Sequence, residues 1–316
     1  MFYRFRIRSF RARFAFAAVA GFVSVLSIIP SAASATSRGS GSFPVTLKYP
    51  GGTVTITHRP TRIISLSPSA TEDLFAIGAG RQVVAVDNDS NYPKNAPHSA
   101  LSGYQPNVEA VARYQPDLVV VVGDEGGLIA ALAKIHIPVI VEPAANTISN
   151  AYTEIASIGR ATGNRAKAQA VIATMRAQLA SIVAGAPAAA RHRSYYAELD
   201  QTYYSVTSST FLGSVFSLFG LKNIADRASG AASGYPQLSS EYIVAANPNL
   251  IFLADTICCG QSPKTVKARA GWSTMTAVKK GDIVALNDDI ASRWGPRIVL
   301  LAQDIRNALV RIYGKS

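Results

Sequence analysis

Few side chains in this chain carry reactive chemistry, and their spacing limits what they can do. Cys258 and Cys259 are the only cysteines of the 316 residues, and they are adjacent. Neighbouring Cα atoms stand about 3.8 Å apart across a trans peptide, below the usual disulfide span. The pair is therefore either a strained vicinal disulfide that stiffens its loop in an oxidising compartment, or two reduced thiols beside Gly260. It is not a CxxC redox or zinc motif. His58, His98, His136 and His192 are scattered, none at ligand spacing. A directly bound metal ion needs several converging His and carboxylate groups, so no metal site is expected. Asp87, Asp89, Asp124 and Glu125 can in principle act as acid and base in a cleft. The chain has no GxSxG elbow, no HExxH pair and no GxxxxGK loop, nor a His beside an obvious nucleophile. An exported hydrolase using those carboxylates stays the weaker alternative, and the chain is expected not to be an enzyme.

These side chains need elements to hold them. Residues 62–66 (RIISL), 82–86 (QVVAV), 117–122 (DLVVVV) and 138–141 read as strands, separated by helical stretches at 69–77, 107–114 and 128–135. Ser69 to Glu72 fits a capping box, with the hydroxyl and the carboxylate each satisfying an orphan amide. The pattern restarts with strands at 194–199, 249–254 and 282–286 and helices at 211–219, 240–246 and 296–313. Nearly continuous β-branched runs alternating with helices predict parallel sheets covered on both faces. Between the two sets, residues 164–184 place Ala168, Val171, Ile172, Met175, Leu179, Ile182 and Val183 at three- and four-residue steps. That is an amphipathic helix, with Asn164 at its N-cap and Gly185-Ala186-Pro187 ending it. About twenty residues at 1.5 Å each make a rod of roughly 30 Å, long enough to tie two lobes at nearly fixed distance. Loops at the carboxyl ends of both sheets would then face each other across a cleft. Tyr203 and Tyr204 follow a strand there, so one should face the cleft and the other the core.

The N-terminus reads as a signal for export. Five arginines between Arg4 and Arg13 precede an apolar run over residues 14–29 and a small-residue site ending at Ala35. Residues 1–35 are expected to be removed near Ala35, leaving a soluble protein in the periplasm or outside the cell. No cysteine near that site offers an N-terminal lipid anchor. Those arginines are unaccompanied by acids, so their removal lowers the formal charge from +12 to +7. No Lys/Arg tract is interleaved with aromatics, and a nucleic-acid partner is excluded. Residues 36–43 read as a flexible leader, 44–148 as a first α/β lobe, 149–186 as an inter-lobe helical segment and 187–316 as a second lobe.

The strings RIISLSPSATEDLFAIGAG, VDNDSNYP, NVEAVARYQPDLVVV, SSEYIVAANPNLIFL and ASRWGPRIVLLAQDI occur in that order. Together they resemble the substrate-binding proteins of ABC importers for iron complexes and vitamin B12, over nearly the whole chain beyond the leader. The resemblance implies two Rossmann-like lobes joined by one long rigid helix with a ligand cleft between them. It also implies a monomer that passes its cargo to an ABC permease. The cargo is expected to be a ferric siderophore first, with cobalamin or haem as alternatives, and no cofactor of the protein's own is implied. In that family a glutamate on the outer face of each lobe docks into permease arginines, and Glu109 and Glu241 stand at the matching positions. A solvated glutamate in a first helical turn is the bland alternative for each.

Asp289 and Arg293, in NDDIASRWGPR, align with residues that line the pocket in vitamin B12-binding relatives. Arg293 can offer a planar fork to a carboxylate, phosphate or catecholate oxygen, or can simply pair with Asp289. Trp294 and Tyr104 offer flat faces to a macrocycle or aryl group. The chain departs from the vitamin B12 pattern in its first-lobe loops, where Asn88-Asp89-Ser90, Tyr104 and Asp124-Glu125 make that side more polar and acidic.

Overall fold

The computed structural model describes residues 43–314, so the signal segment expected at 1–35 and nearly all of the leader lie outside the described residues. A short antiparallel hairpin comes first, β1 (Val45–Tyr49) with β2 (Gly52–Ile56). Next come β3 (Ile63–Leu66), α1 (Pro68–Ala76), β4 (Val83–Asp87), β5 (His98–Leu101), α2 (Val108–Ala112), β6 (Leu118–Val121), α3 (Leu128–Lys134) and β7 (Val139–Val141). Their strands form one parallel sheet in the order β5-β4-β3-β6-β7. Two helices follow, α4 (Ile148–Ala161) and α5 (Arg165–Ala184).

The second half runs β8 (Ser194–Glu198), α6 (Phe211–Ser217), β9 (Lys222–Asn223), α7 (Ser240–Ala246), β10 (Leu250–Leu253), α8 (Pro263–Lys267), α9 (Thr276–Lys280), β11 (Ile283–Ala285), α10 (Asp288–Ala291) and α11 (Ile298–Tyr313). It builds a second parallel sheet, β11-β10-β8-β9. Among the described residues no helix is long and apolar enough to cross a membrane.

The period-two alternation of strand side chains sorts the core. Ile63, Leu118 and Val120 point into one buried cluster with α1 and α4, while Ile64, Val119 and Val121 join a second with α2 and α3. In the other sheet Tyr195, Leu250 and Phe252 turn to the first of these clusters, and Tyr196, Ile251 and Leu253 to a third. One continuous apolar core therefore passes from the first sheet through α4, α5, α6 and α11 to the second. Moving one lobe against the other would shear this core, which gives the connection its stiffness.

Helix α5 rests on that core by a narrow stripe of Ala168, Ile172, Met175 and Leu179, with the rest of its surface largely exposed. Gly159 allows the close approach of α4, because a Cβ there would collide with the Ala168 Cβ. Asn164 does precede α5, but its side chain makes no cap bond. It donates to the Gln82 side chain and to Thr162 instead. The capping box read at Ser69 to Glu72 is also corrected. Helix α1 starts earlier, with Pro68 in its first turn and the Ser67 hydroxyl accepting from the Ala70 amide. That leaves Glu72 inside the helix and free to face the other lobe.

Candidate ligand cleft

The strand ends of the second sheet open onto a pocket of about 390 Å³. Leu199 follows β8, Ala254, Ile257 and Cys258 follow β10, and Asp288, Asp289, Ala291 and Ser292 follow β11. Leu212 at the start of α6 adds an apolar wall, and Asn91 reaches in from the first lobe. This is where parallel sheets place ligands, beyond the carboxyl ends of their strands.

Asp288 organises one side. Its carboxylate accepts the backbone amides of Thr256 (2.9 Å), Ile257 (2.9 Å) and Cys258 (2.7 Å), and the Thr256 hydroxyl at 3.0 Å. Burial alone would raise its pKa, but these donors overcome that and hold it below the ordinary carboxylate range. Cys258 and Cys259 are joined as a vicinal disulfide on this loop. Asp255, just beneath, is fully buried with both oxygens unpartnered. Burial and the neighbouring Glu198 push it up to about 7. Glu198 itself holds Arg269 through two 2.6 Å bonds.

Arg293 does not project into the pocket with free donors. It is 7% exposed and lies in the contact between lobes. One terminal nitrogen donates to Asn91 (2.7 Å) and to Glu72 (3.4 Å), the other to the Asp89 carbonyl (2.9 Å) and Asp289 (3.2 Å). Arg297 adds a 2.9 Å bond to Glu72 and covers the Tyr92 ring. Trp294 is likewise engaged, its indole N–H donating to Glu154 at 2.6 Å and its amide to the Ser69 hydroxyl. Burial, the charge of Glu142 and the Trp294 bond together leave Glu154 raised to about 8, the first two outweighing the third. Burial likewise raises Glu142 to about 7, and Asp73, fully buried and unpartnered, well above its ordinary range.

Of the residues expected at the ligand, the structure brings Asp289 to the pocket and places Arg293 and Trp294 behind it. Tyr104 is 80% exposed on a first-lobe loop outside the pocket lining. Tyr203 packs on Trp272 and under Arg269, at the edge of the third core cluster, whereas Tyr204 is exposed. Among the hydrolase carboxylates, Asp87 is buried beneath Ser90, and Asp124 accepts the Ile129 amide from its exposed loop. Among the described residues no three His, Cys, Asp or Glu side chains converge as metal ligands.

A family model described as periplasmic binding protein matches residues 63–290, which contain both parallel sheets and all of the pocket lining except Ala291 and Ser292. The chain belongs to the periplasmic binding protein family. It is similar, at 34% identity over 85% of this chain and 75% of the relative, to a cobalamin-binding protein of Halobacterium salinarum. It is also 30% identical, over 84% of this chain and 86% of the relative, to an uncharacterised ABC transporter substrate-binding lipoprotein of Bacillus subtilis. The periplasmic vitamin B12 binding protein of Vibrio cholerae superposes with a TM-score of 0.67 at 25% identity, covering 81% of this chain and 98% of that one. The family implies an ABC permease as partner and a small molecule as cargo.

Glu109 and Glu241 occupy equivalent positions in the two lobes. Each stands two residues after its N-cap, Asn107 for α2 and Ser239 for α7, and each is exposed. Helix α2 follows β5 and α7 precedes β10, so in these parallel sheets both helix starts lie on the cleft side. The Glu241 carboxylate is held below its ordinary range by its own amide and by Ser239. Sequence reasoning missed Glu72, Asn91, Glu154 and Asp288. The double acid Asp288-Asp289 was visible, but which one turns to the loop depends on a strand pairing that sequence does not show.

Proposed function

We propose that this protein is an extracytoplasmic receptor that captures a corrinoid and presents it to an ABC permease through Glu109 and Glu241. The observation that carries the choice of ligand is the charge of the pocket. Its lining holds Asp288, Asp289, Asn91 and Ser292 among apolar walls, and no basic side chain. The nearby arginines lie behind the lining with their donors taken, Arg297 by Glu72 and Arg293 by Asn91, the Asp89 carbonyl, Asp289 and Glu72. A ferric catecholate or a haem carries several anionic groups and would meet the Asp288 carboxylate with no basic side chain in the lining, Arg293 being shared between Asp289 and Glu72 behind it. A corrinoid carries many amide N–H donors and a compact positive centre, which suit carboxylate and amide acceptors. This moves the preference from the ferric siderophore expected from sequence to one of its alternatives. The similarity to a relative named for cobalamin binding supports the same choice.

Calorimetric titration of the mature protein with cyanocobalamin, dicyanocobinamide, a ferric hydroxamate, a ferric catecholate and haem tests the assignment. Saturable binding of the corrinoids is expected. Binding confined to the catecholate or haem would overturn the ligand class, and binding of the hydroxamate alone would return the protein to iron uptake.

A further inference from the structure

The loop after β10 has a feature that transport by itself does not need. Its backbone amides at Thr256, Ile257 and Cys258 all point to one carboxylate, that of Asp288. Three consecutive N–H groups drawn to the pocket floor leave the side chains of residues 257–259 as the surface of the loop. Ile257 is 61% exposed, and Cys258 and Cys259 are exposed as well. Cys258 and Ile257 both line the pocket. The only two cysteines of the chain therefore stand at the cleft mouth, bonded to each other, instead of bridging distant elements of either lobe.

A disulfide placed to stabilise the fold closes a long loop, whereas one between adjacent residues closes almost nothing and removes little unfolded-state entropy. This bond is not positioned for stability. What it does is join two side chains and the intervening peptide into one small ring, which fixes the lip before ligand arrives. It also offers a flat, uncharged, polarisable sulfur face beside Ile257. Against the acidic floor of Asp288 and Asp289, that face is the complementary half of a site for a macrocycle with an apolar plane and polar edges.

We propose that the Cys258–Cys259 disulfide is a ligand-contacting lip of the cleft, pre-ordered for a planar macrocycle, and that its thiol–disulfide state sets affinity. Reduction by a dithiol transfers two electrons and two protons to the pair, opens the ring to two thiols and oxidises the dithiol to its own disulfide. The loop then keeps its Asp288 clamp but loses the constraint between residues 258 and 259. The inference rests on the receptor function proposed above.

The test uses the full mature protein and the Cys258→Ala/Cys259→Ala variant, with dicyanocobinamide and the rest of the ligand panel as probes. The bond closes no long loop and lies on an exposed loop, so the thermal midpoint should not move. Affinity for the bound member of the panel should fall about tenfold, the scale of ordering a loop on binding. Wild-type protein reduced with dithiothreitol and desalted without air should show the same loss, and bound ligand should slow that reduction several-fold. Equal affinity in all three forms, with a reduction rate indifferent to ligand, overturns the inference and leaves the receptor standing. If oxidised wild type binds no member of the panel, the receptor function falls and this inference falls with it.

Discussion

Replacing Glu72 by glutamine removes the one buried anion that faces both arginines of the contact between lobes. The Glu72 carboxylate is 1% exposed, and the side chains of Arg293 and Arg297 are 8% and 14% exposed. Glutamine keeps the shape and one acceptor oxygen but no charge, leaving Arg297 without an anionic partner at hydrogen-bond distance. Breaking a buried pair from one side costs about 3–5 kcal/mol, because the remaining charge stays desolvated. Arg293 retains Asp289, Asn91 and the Asp89 carbonyl, so the lower end, about 3 kcal/mol, is expected. At about 2–3 °C per kcal/mol for a chain of this size, the thermal midpoint should fall by roughly 6–9 °C. Scanning calorimetry and urea unfolding of Glu72→Gln, Arg297→Gln and the double variant form a cycle. The double variant should recover part of the loss, with a coupling above about 1 kcal/mol. Additive losses, or a loss below about 1 kcal/mol in Glu72→Gln, would show that the lobes are not held by this pair.

Two further outcomes are expected. Glu109→Ala/Glu241→Ala should abolish uptake in a reconstituted transport assay while leaving ligand affinity and the fold unchanged, as befits exposed residues; loss of binding in solution would refute the docking role. Glu154, raised to about 8, keeps its proton in the folded state while the unfolded chain loses it near pH 4.3. Its presence therefore costs stability progressively as pH rises from about 4 to about 8. Glu154→Gln should leave stability near pH 4 unchanged and raise it at pH 8 by on the order of 4–5 kcal/mol; parallel pH profiles of midpoint for the two proteins would count against it.

Much of the fold was legible because burial on both sheet faces writes itself as apolar runs. The strands at 62–66, 117–122, 194–199 and 249–254 match β3, β6, β8 and β10 to within two residues at either end. The connecting helix was legible from its stripe, and it ends where predicted, at Ala184 before Gly185. The cap was misplaced at Ser69 because the capping-box spacing to Glu72 was followed instead of the Ser67-Pro68 pair, whose proline suits the first helical turn. The site was harder. Arg293 and Trp294 carry the chemistry of a ligand contact, and nothing local shows that Glu72 and Glu154, more than a hundred residues away in sequence, claim them first.

What the sequence determined by itself was the periodic information: which segments are strands, which stripe of α5 is buried, that the chain has two α/β halves, and that its cysteines have only each other within reach. Those features follow from side-chain alternation and backbone geometry, which act over a few residues. What only the tertiary structure decided was the charge of the cleft. The donors of Arg297 are taken by Glu72 of α1 and those of Arg293 by Glu72, Asn91, the Asp89 carbonyl and Asp289, while Asp288 is turned to the loop after β10. That choice depends on which carboxylates lie within a few ångströms after folding, because Coulomb and hydrogen-bond energies are set by distance in space.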